Sequence, residues 1–302
     1  MKGSGTPYYI EICPPTEFAF SECLAFLDRS EHGILHQIRD GCVYKLVETN
    51  DGMILLKVVG TSEAIQVHFP MGAPSKQASE EIASYVREWF DLDQDLSGFY
   101  DLARRDAILG PLVQKYYGLR MICIPDLFEA LTWAVIGQQI NLTFAYTLKK
   151  RFTKHFGQSL SFGGDVYWLY PKYERIAALD VQDLRNLQFT TRKAEYVIGI
   201  ARAMANGDLM KPSLLQKRDY EDIKQSLMKI RGVGAWTADY VMMKCLQQPA
   251  ALPITDVGLH NALKIQLGLE RKPSIEEIRE LATQWEGWQA YATFYLWRSL
   301  YE

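Results

Sequence analysis

Two stretches in the last quarter of the chain carry residues whose types and spacing could do chemistry. The first is K-I-R-G-V-G-A-W-T-A-D-Y-V, residues 229–241. Gly232 and Gly234 stand just before a helical run, where a helix entry ordinarily takes Ser, Thr, Asp or Asn. Both can take positive φ and, lacking a Cβ, can let another molecule approach the backbone closely. The first N–H groups of the following helix have no internal partner and lie at the positive end of its dipole, which suits an anion such as phosphate. Thr237 adds a hydroxyl in the first turn; Lys229, Arg231 and Lys244 add local positive charge. The plain alternative is a connector that merely uses glycines. The second stretch is P-I-T-D-V-G-L-H, residues 253–260, which sets Asp256 where a helix is about to begin. There it can be a simple helix cap. As a carboxylate it can also stabilise developing positive charge or orient a water.

The elements that must position these residues fall into two kinds. Residues 1–100 read as an α+β domain: a strand at Y-Y-I-E-I, a helix over T-E-F-A-F-S-E-C-L-A-F-L-D-R capped by Thr16, an alternating pair around the turn Asn50-Asp51-Gly52, and a closing helix over S-K-Q-A-S-E-E-I-A-S-Y-V-R-E-W-F. From about residue 100 the strand signals fade and helical periodicity takes over, with joints at Gly and Pro. The fold class expected is an antiparallel sheet with helices, followed by two all-α bundles. These bundles span 101–230 and 231–302, with a helix-hairpin-helix at 227–246 and a loop at 249–260. Residues 213–229 and 235–246 are the two hairpin helices.

Composition narrows the classes. Of 302 residues, 48 % are hydrophobic and 23 % charged, and the net charge is −3, so any nucleic-acid contact must come from a local basic patch. Five scattered cysteines, with no C-x-x-C, suggest free thiols in a reducing compartment. No apolar run is long enough for a membrane span, and no signal-peptide core is visible. His32, His36, His68, His155 and His260 do not cluster at zinc-ligand spacing. Cys245 is the last thiol, so no iron–sulfur run follows it. In I-G-Q-Q-I-N, residues 136–141, two amides interrupt an apolar run, either as a polar break between helices or as a functional pair. Trp236 and Tyr240 are four apart and share a helix face. Trp285, Trp288, Tyr291, Tyr295 and Trp297 crowd a second region, an aromatic stripe that ordinarily means core.

The segments L-M-K-I-R-G-V-G-A-W-T-A-D-Y-V and L-P-I-T-D-V-G-L-H-N-A-L together resemble the helix-hairpin-helix DNA glycosylase superfamily, whose hallmark is this hairpin, a Gly/Pro-rich loop and an aspartate at a helix start. Segments at 89–106, 126–145, 184–203 and 285–301 extend the likeness, which is to the alkylpurine branch of the DNA-3-methyladenine glycosylase II type. It covers roughly residues 90–302 strongly, and the α+β region suits that branch. The resemblance implies a repair enzyme that flips and excises alkylated purines from duplex DNA by hydrolysis, leaving an abasic site. Asp256 would be catalytic, and Trp236, Tyr240 and Trp297 would line the base pocket. Gly232, Gly234, Thr237, Lys229 and Arg231 would bind DNA. Gln139 stands at the position of the side chain that fills the gap left by a flipped base, with Gln138 beside it, and either could be the wedge. Main-chain carbonyls of Met228, Ile230 and Val233 would hold a Na⁺ or K⁺ ion; no other cofactor is implied. Family members that also cut the backbone carry a lysine where this chain has Trp236, so water is the expected nucleophile. The expected protein is a monomer acting on damaged double-stranded DNA, without a membrane, in the cytoplasm with the nucleoid if bacterial. The alternatives are a same-fold glycosylase for deaminated or oxidised purines, and a non-catalytic hairpin DNA-binding protein.

Overall fold

Apolar, β-branched runs that alternate across the pleat make the first layer. Strands β1 (Tyr9–Ile12), β2 (Gln37–Arg39), β3 (Cys42–Thr49), β4 (Gly52–Gly60) and β5 (Ile65–His68) form one antiparallel sheet in the order β1-β5-β4-β3-β2. The structure, a computed structural model, describes residues 8–29, 33–217 and 219–301; His32 lies outside them. Helices α1 (Phe20–Leu27) and α2 (Lys76–Trp89) accompany the sheet. The Ser75 side chain caps α2 by accepting the Ala78 N–H. Helix α1 begins later than expected: its N-cap is Ala19, not Thr16, and the Ala19 N–H is spent on the Gly118 carbonyl at 2.8 Å.

The rest is largely helical: α3 (Ser97–Ala103), α4 (Leu109–Lys115), α5 (Leu127–Gly137), α6 (Leu142–Phe156), α7 (Tyr173–Ala177), α8 (Val181–Arg185), α9 (Thr191–Ala205), α10 (Lys211–Leu215), α11 (Tyr220–Met228), α12 (Ala235–Lys244), α13 (Val257–Gln266), α14 (Ile275–Ala282) and α15 (Gln289–Arg298). The helical reading misses one piece. Residues 158–169 are a hairpin, β6 (Gln158–Phe162) and β7 (Asp165–Leu169), turned by Gly163 and Gly164, both at positive φ. Its Tyr167 is buried with Leu46 and Leu55 of the first sheet. Strands β3 and β4 carry apolar residues on both faces, and this hairpin covers one of them. The expected helix over 213–229 is also two. Asp219 caps α11 by accepting the Asp222 N–H at 3.1 Å, and so starts a new helix.

One buried core runs from Ile12 to Leu296 without stopping at residue 100 or 230, and the α11–α12 hairpin straddles 230. Buried Arg120 donates to the carbonyls of Asp91 and Gln94, and Asp91 in turn accepts from Tyr291 and Gln247 at 2.5 Å each. Tyr295 bonds Tyr100 at 2.9 Å, and the Trp285 indole donates to Asp106 at 2.9 Å. The C-terminal aromatic stripe is therefore mostly core. It fixes α15 to the helices before α5, and so fixes what its last turn presents.

Candidate active site

What that last turn presents is Trp297. Asp256 is the N-cap of α13, where its Oδ1 accepts the Leu259 N–H at 2.8 Å. The same oxygen accepts the Trp297 indole N–H at 2.8 Å, and Oδ2 accepts that of Trp236 at 3.2 Å. Asp256 is thus a helix cap whose carboxylate is also held by two indoles, from α12 and α15. A carboxylate offers about four lone-pair sites. Three are used, which leaves one on Oδ2 for a water or a sugar. Gly258 protects this arrangement, since a Cβ there would come within 2.9 Å of Asp256 Oδ1 and 3.1 Å of the Trp297 indole nitrogen.

Tyr240 completes the aromatic set. Its ring lies 5.7 Å from Trp236 and 6.2 Å from Trp297. Burial pushes its hydroxyl pKa well up, so it remains a phenol. Against Tyr240 opens a cavity of about 100 Å³, walled also by Arg29, Trp133, Tyr146, Lys149 and Lys244. Trp133 and Tyr146 pack at 4.9 Å, and the Arg29 guanidinium lies over the Phe26 ring at 3.8 Å. Arg29, Trp133, Tyr146 and Gly258 escape the sequence reading. Gly258 lies two positions after the aspartate, inside the segment 253–260.

The two glycines of the hairpin serve different ends. Gly232 has φ +93°, and a Cβ there would run into the Tyr196 ring at 2.3 Å. Gly234 is extended (φ −90°, ψ 180°) and is the N-cap of α12, with open space where a Cβ would be. The backbone there is bare and accessible, which is what an approaching anion needs. Thr237 does not face outward: it is 1 % exposed, and its hydroxyl accepts from Gln138 at 3.0 Å. Lys244 is not a surface charge either. It is 3 % exposed and donates to the Ile122 carbonyl, and burial pulls its amine down to about 7. Lys229 and Arg231 are exposed, with Arg231 paired to Glu195 at 2.8 Å.

The two glutamines separate cleanly. The Gln138 amide donates to the Gly232 carbonyl at 3.0 Å as well as to Thr237, and so ties the end of α5 to the hairpin. Gln139 is exposed, with φ +56°, between α5 and the Asn141 cap of α6. Lys193 anchors this joint from below by donating to the Ile136 carbonyl at 2.7 Å. Met228, Ile230 and Val233 bracket the hairpin turn, where the Ile230 carbonyl accepts the Val233 N–H at 3.0 Å. Among the described residues no cluster of His, Cys, Asp and Glu could hold a metal, and no helix is long and apolar enough to cross a membrane.

Comparison with known proteins adds to this geometry. Residues 132–287 match the family model for HhH-GPD superfamily base excision DNA repair proteins. Residues 13–131 match that of the 8-oxoguanine DNA glycosylase N-terminal domain. A DNA-3-methyladenine glycosylase of Bacillus subtilis is 45 % identical over 295 residues, covering 97 % of each chain. Among solved structures, a 3-methyladenine DNA-glycosylase from Archaeoglobus fulgidus superposes with a TM-score of 0.81 at 22 % identity, covering 95 % of this chain and 97 % of that one. A Clostridium acetobutylicum 8-oxoguanine glycosylase/lyase bound to double-stranded DNA gives 0.74 at 19 % identity, covering 97 % of each.

Proposed function

Since this chain belongs to the HhH-GPD superfamily of base excision DNA repair proteins, we propose that it is a monofunctional DNA-3-methyladenine glycosylase. Its substrates are alkylated purines of the 3-methyladenine and 7-methylguanine type in duplex DNA, and it works as a monomer. The observation that carries this reading is Asp256 held by two indoles whose rings pack with Tyr240, itself on the wall of an aromatic cavity. A flipped base stacks among Trp236, Tyr240 and Trp297, where a cationic ring gains about 0.5–2 kcal/mol from a facing π system. As the bond from C1′ to the base nitrogen breaks, its electron pair neutralises the alkylated ring, so no acid is needed. Positive charge builds on the sugar beside Asp256, whose carboxylate stabilises it and orients the attacking water. The water oxygen bonds C1′, its proton passes to the carboxylate or to solvent, and an abasic strand remains.

Gly234 and the first turn of α12 receive a DNA phosphate, with Lys229 and Arg231 at the rim. Gln139 fills the gap left by the flipped base, because Gln138 is already spent on the hairpin. The carbonyls of Met228, Ile230 and Val233 hold a Na⁺ or K⁺ ion. Three hard oxygens on one turn suit such a cation, and the Ile230 oxygen keeps a second lone pair. When bound, the ion adds positive charge near the phosphate; replacing K⁺ by tetramethylammonium at constant ionic strength should weaken binding to an abasic duplex.

The test of the activity is direct. Methylated duplex DNA is incubated with the protein and the released bases are identified by chromatography. Free 3-methyladenine is expected, with no strand break before alkali and no borohydride-trapped adduct, because Trp236 cannot form an imine. The match to an 8-oxoguanine glycosylase N-terminal domain favours oxidised purines as the second reading. Release of 8-oxoguanine in place of 3-methyladenine would establish it.

A further inference from the structure

A second and larger cavity, about 570 Å³, lies between β3, β7, and the N-terminal ends of α5 and α7. That volume is in the range of small-molecule sites. Six aromatic residues from five different segments line it: Tyr85, Phe128, Phe156, Trp168, Tyr170 and Tyr173. Such walls suit a flat, unsaturated ring. The polar groups at one end are the carboxylates of Asp126 and Glu129. Asp126 Oδ1 accepts the Glu129 N–H at 2.6 Å, and Glu129 is paired with Lys149 at 2.7 Å. Asp126 lines this cavity, and desolvation by the surrounding protein raises its carboxyl to about 6. Each cation on the wall already has a partner on the same wall: Lys45 donates to the Leu35 carbonyl, Arg175 to the Phe156 carbonyl, and Lys172 pairs with Glu48. Aromatic walls with carboxylate acceptors favour a ring bearing amino donors and disfavour a phosphate. A free purine base, with amino donors and no phosphate, fits this chemistry better than a nucleotide.

The cavity is also next to the one that Tyr240 lines. Leu35, Lys45, Tyr85, Pro125 and Glu129 belong to the walls of both. We propose that the larger cavity is an exit site that takes up the free purine base after excision, while the abasic duplex still covers the front of the active site. This rests on the glycosylase reading above. The base passes from the aromatic pocket along the seam between the sheet and the helices, and docks its ring against Trp168 and its amino group on Asp126.

Equilibrium dialysis tests the proposal with free 3-methyladenine and the full chain saturated with duplex carrying a tetrahydrofuran abasic analogue. Wild type is expected to bind one equivalent with DNA in place. Trp168→Ala and Asp126→Asn should each weaken this about fivefold or more, through loss of a stacking face or a charged acceptor. Single-turnover excision by both should be unchanged. Asn keeps the α5 cap, and Trp168→Phe keeps the hairpin packed should the Ala variant fail to fold. The proposal is overturned if no base binds, if the rear variants bind as wild type does, or if Tyr240→Ala alone abolishes binding. If wild type releases no methylated purine from DNA, the glycosylase reading itself fails; if it does, and dialysis shows no rear site, only the exit site is lost.

Discussion

At the scale of single residues, the carboxylate of Asp256 accepts three hydrogen bonds and still has a free lone pair on Oδ2. Asp256→Asn keeps the N-cap and the shape, so fold and DNA affinity should persist. Removing one preorganised electrostatic stabiliser costs on the order of 10²–10³ in rate. Single-turnover release of 3-methyladenine at the wild-type rate would remove Asp256 from the chemistry. The two indoles donate to Asp256 and, on the proposed reading, also offer ring faces to the base; substitutions can separate these roles. Trp236→Phe and Trp297→Phe keep a ring but lose the N–H. A hydrogen bond to a charged group is worth about 1.5–3 kcal/mol, so each should slow excision by roughly tenfold or more. Trp236→Ala should slow it further, because the stacking face goes as well. Equal rates for Trp236→Phe and wild type would mean that Trp236 acts by stacking alone.

At the scale of elements, the hairpin is held by a buried pair. Asp239 of α12, 2 % exposed, takes Lys224 at 2.8 Å and the Tyr220 hydroxyl at 2.6 Å, both from α11. That ties α11 to α12 and leaves the outer face of the turn bare at Gly234. Gly234→Glu puts bulk and negative charge there without a clash in the free protein. It should weaken binding to every duplex alike, since phosphate contacts position without specifying sequence. Unchanged affinity for an abasic-analogue duplex would make the hairpin a connector. The α5–α6 joint offers the complementary experiment. Gln139→Ala should reduce excision and base flipping, read by 2-aminopurine fluorescence, with little effect on melting. Gln138→Ala should lower the melting temperature, because it leaves Thr237 and the Gly232 carbonyl without their donor. The reverse pattern would exchange their roles.

For the whole molecule, the seam between sheet and helices carries a titratable device. His36 bonds the Leu27 carbonyl at 3.1 Å. Burial, and then Lys45, pull its imidazole down to about 4, with Arg29 and Lys149 adding to the effect. The folded chain therefore keeps His36 neutral where the unfolded chain, near 6.5, takes up a proton. Stability from this residue is complete above about pH 6.5 and is lost as pH falls towards 4, by at most about 3 kcal/mol. Urea denaturation at pH 7.5 and pH 5 should show a larger loss for wild type than for His36→Gln. Parallel losses would assign the acid sensitivity to other groups.

How much of this was legible beforehand follows from the range of the forces involved. The hairpin, the Asp256 cap and the α+β start are local: glycine φ, capping and the period of apolar residues act within a few positions, so the sequence alone determined them. The family resemblance, now shown over most of the chain, rested on those same local motifs. The β6–β7 hairpin was missed although Gly163-Gly164 is a local turn signal; only its partner, the sheet face at Leu46 and Leu55, lies far away in sequence. Thr237 and Lys244 looked like surface groups because nothing in their neighbours reveals that Gln138 and the Ile122 carbonyl meet them from another helix and loop. The aim of Asp256 belongs to the same class. It depends on indoles 20 positions before it and 41 positions after it, and only the packing of α15 against the body of the protein brings all three together.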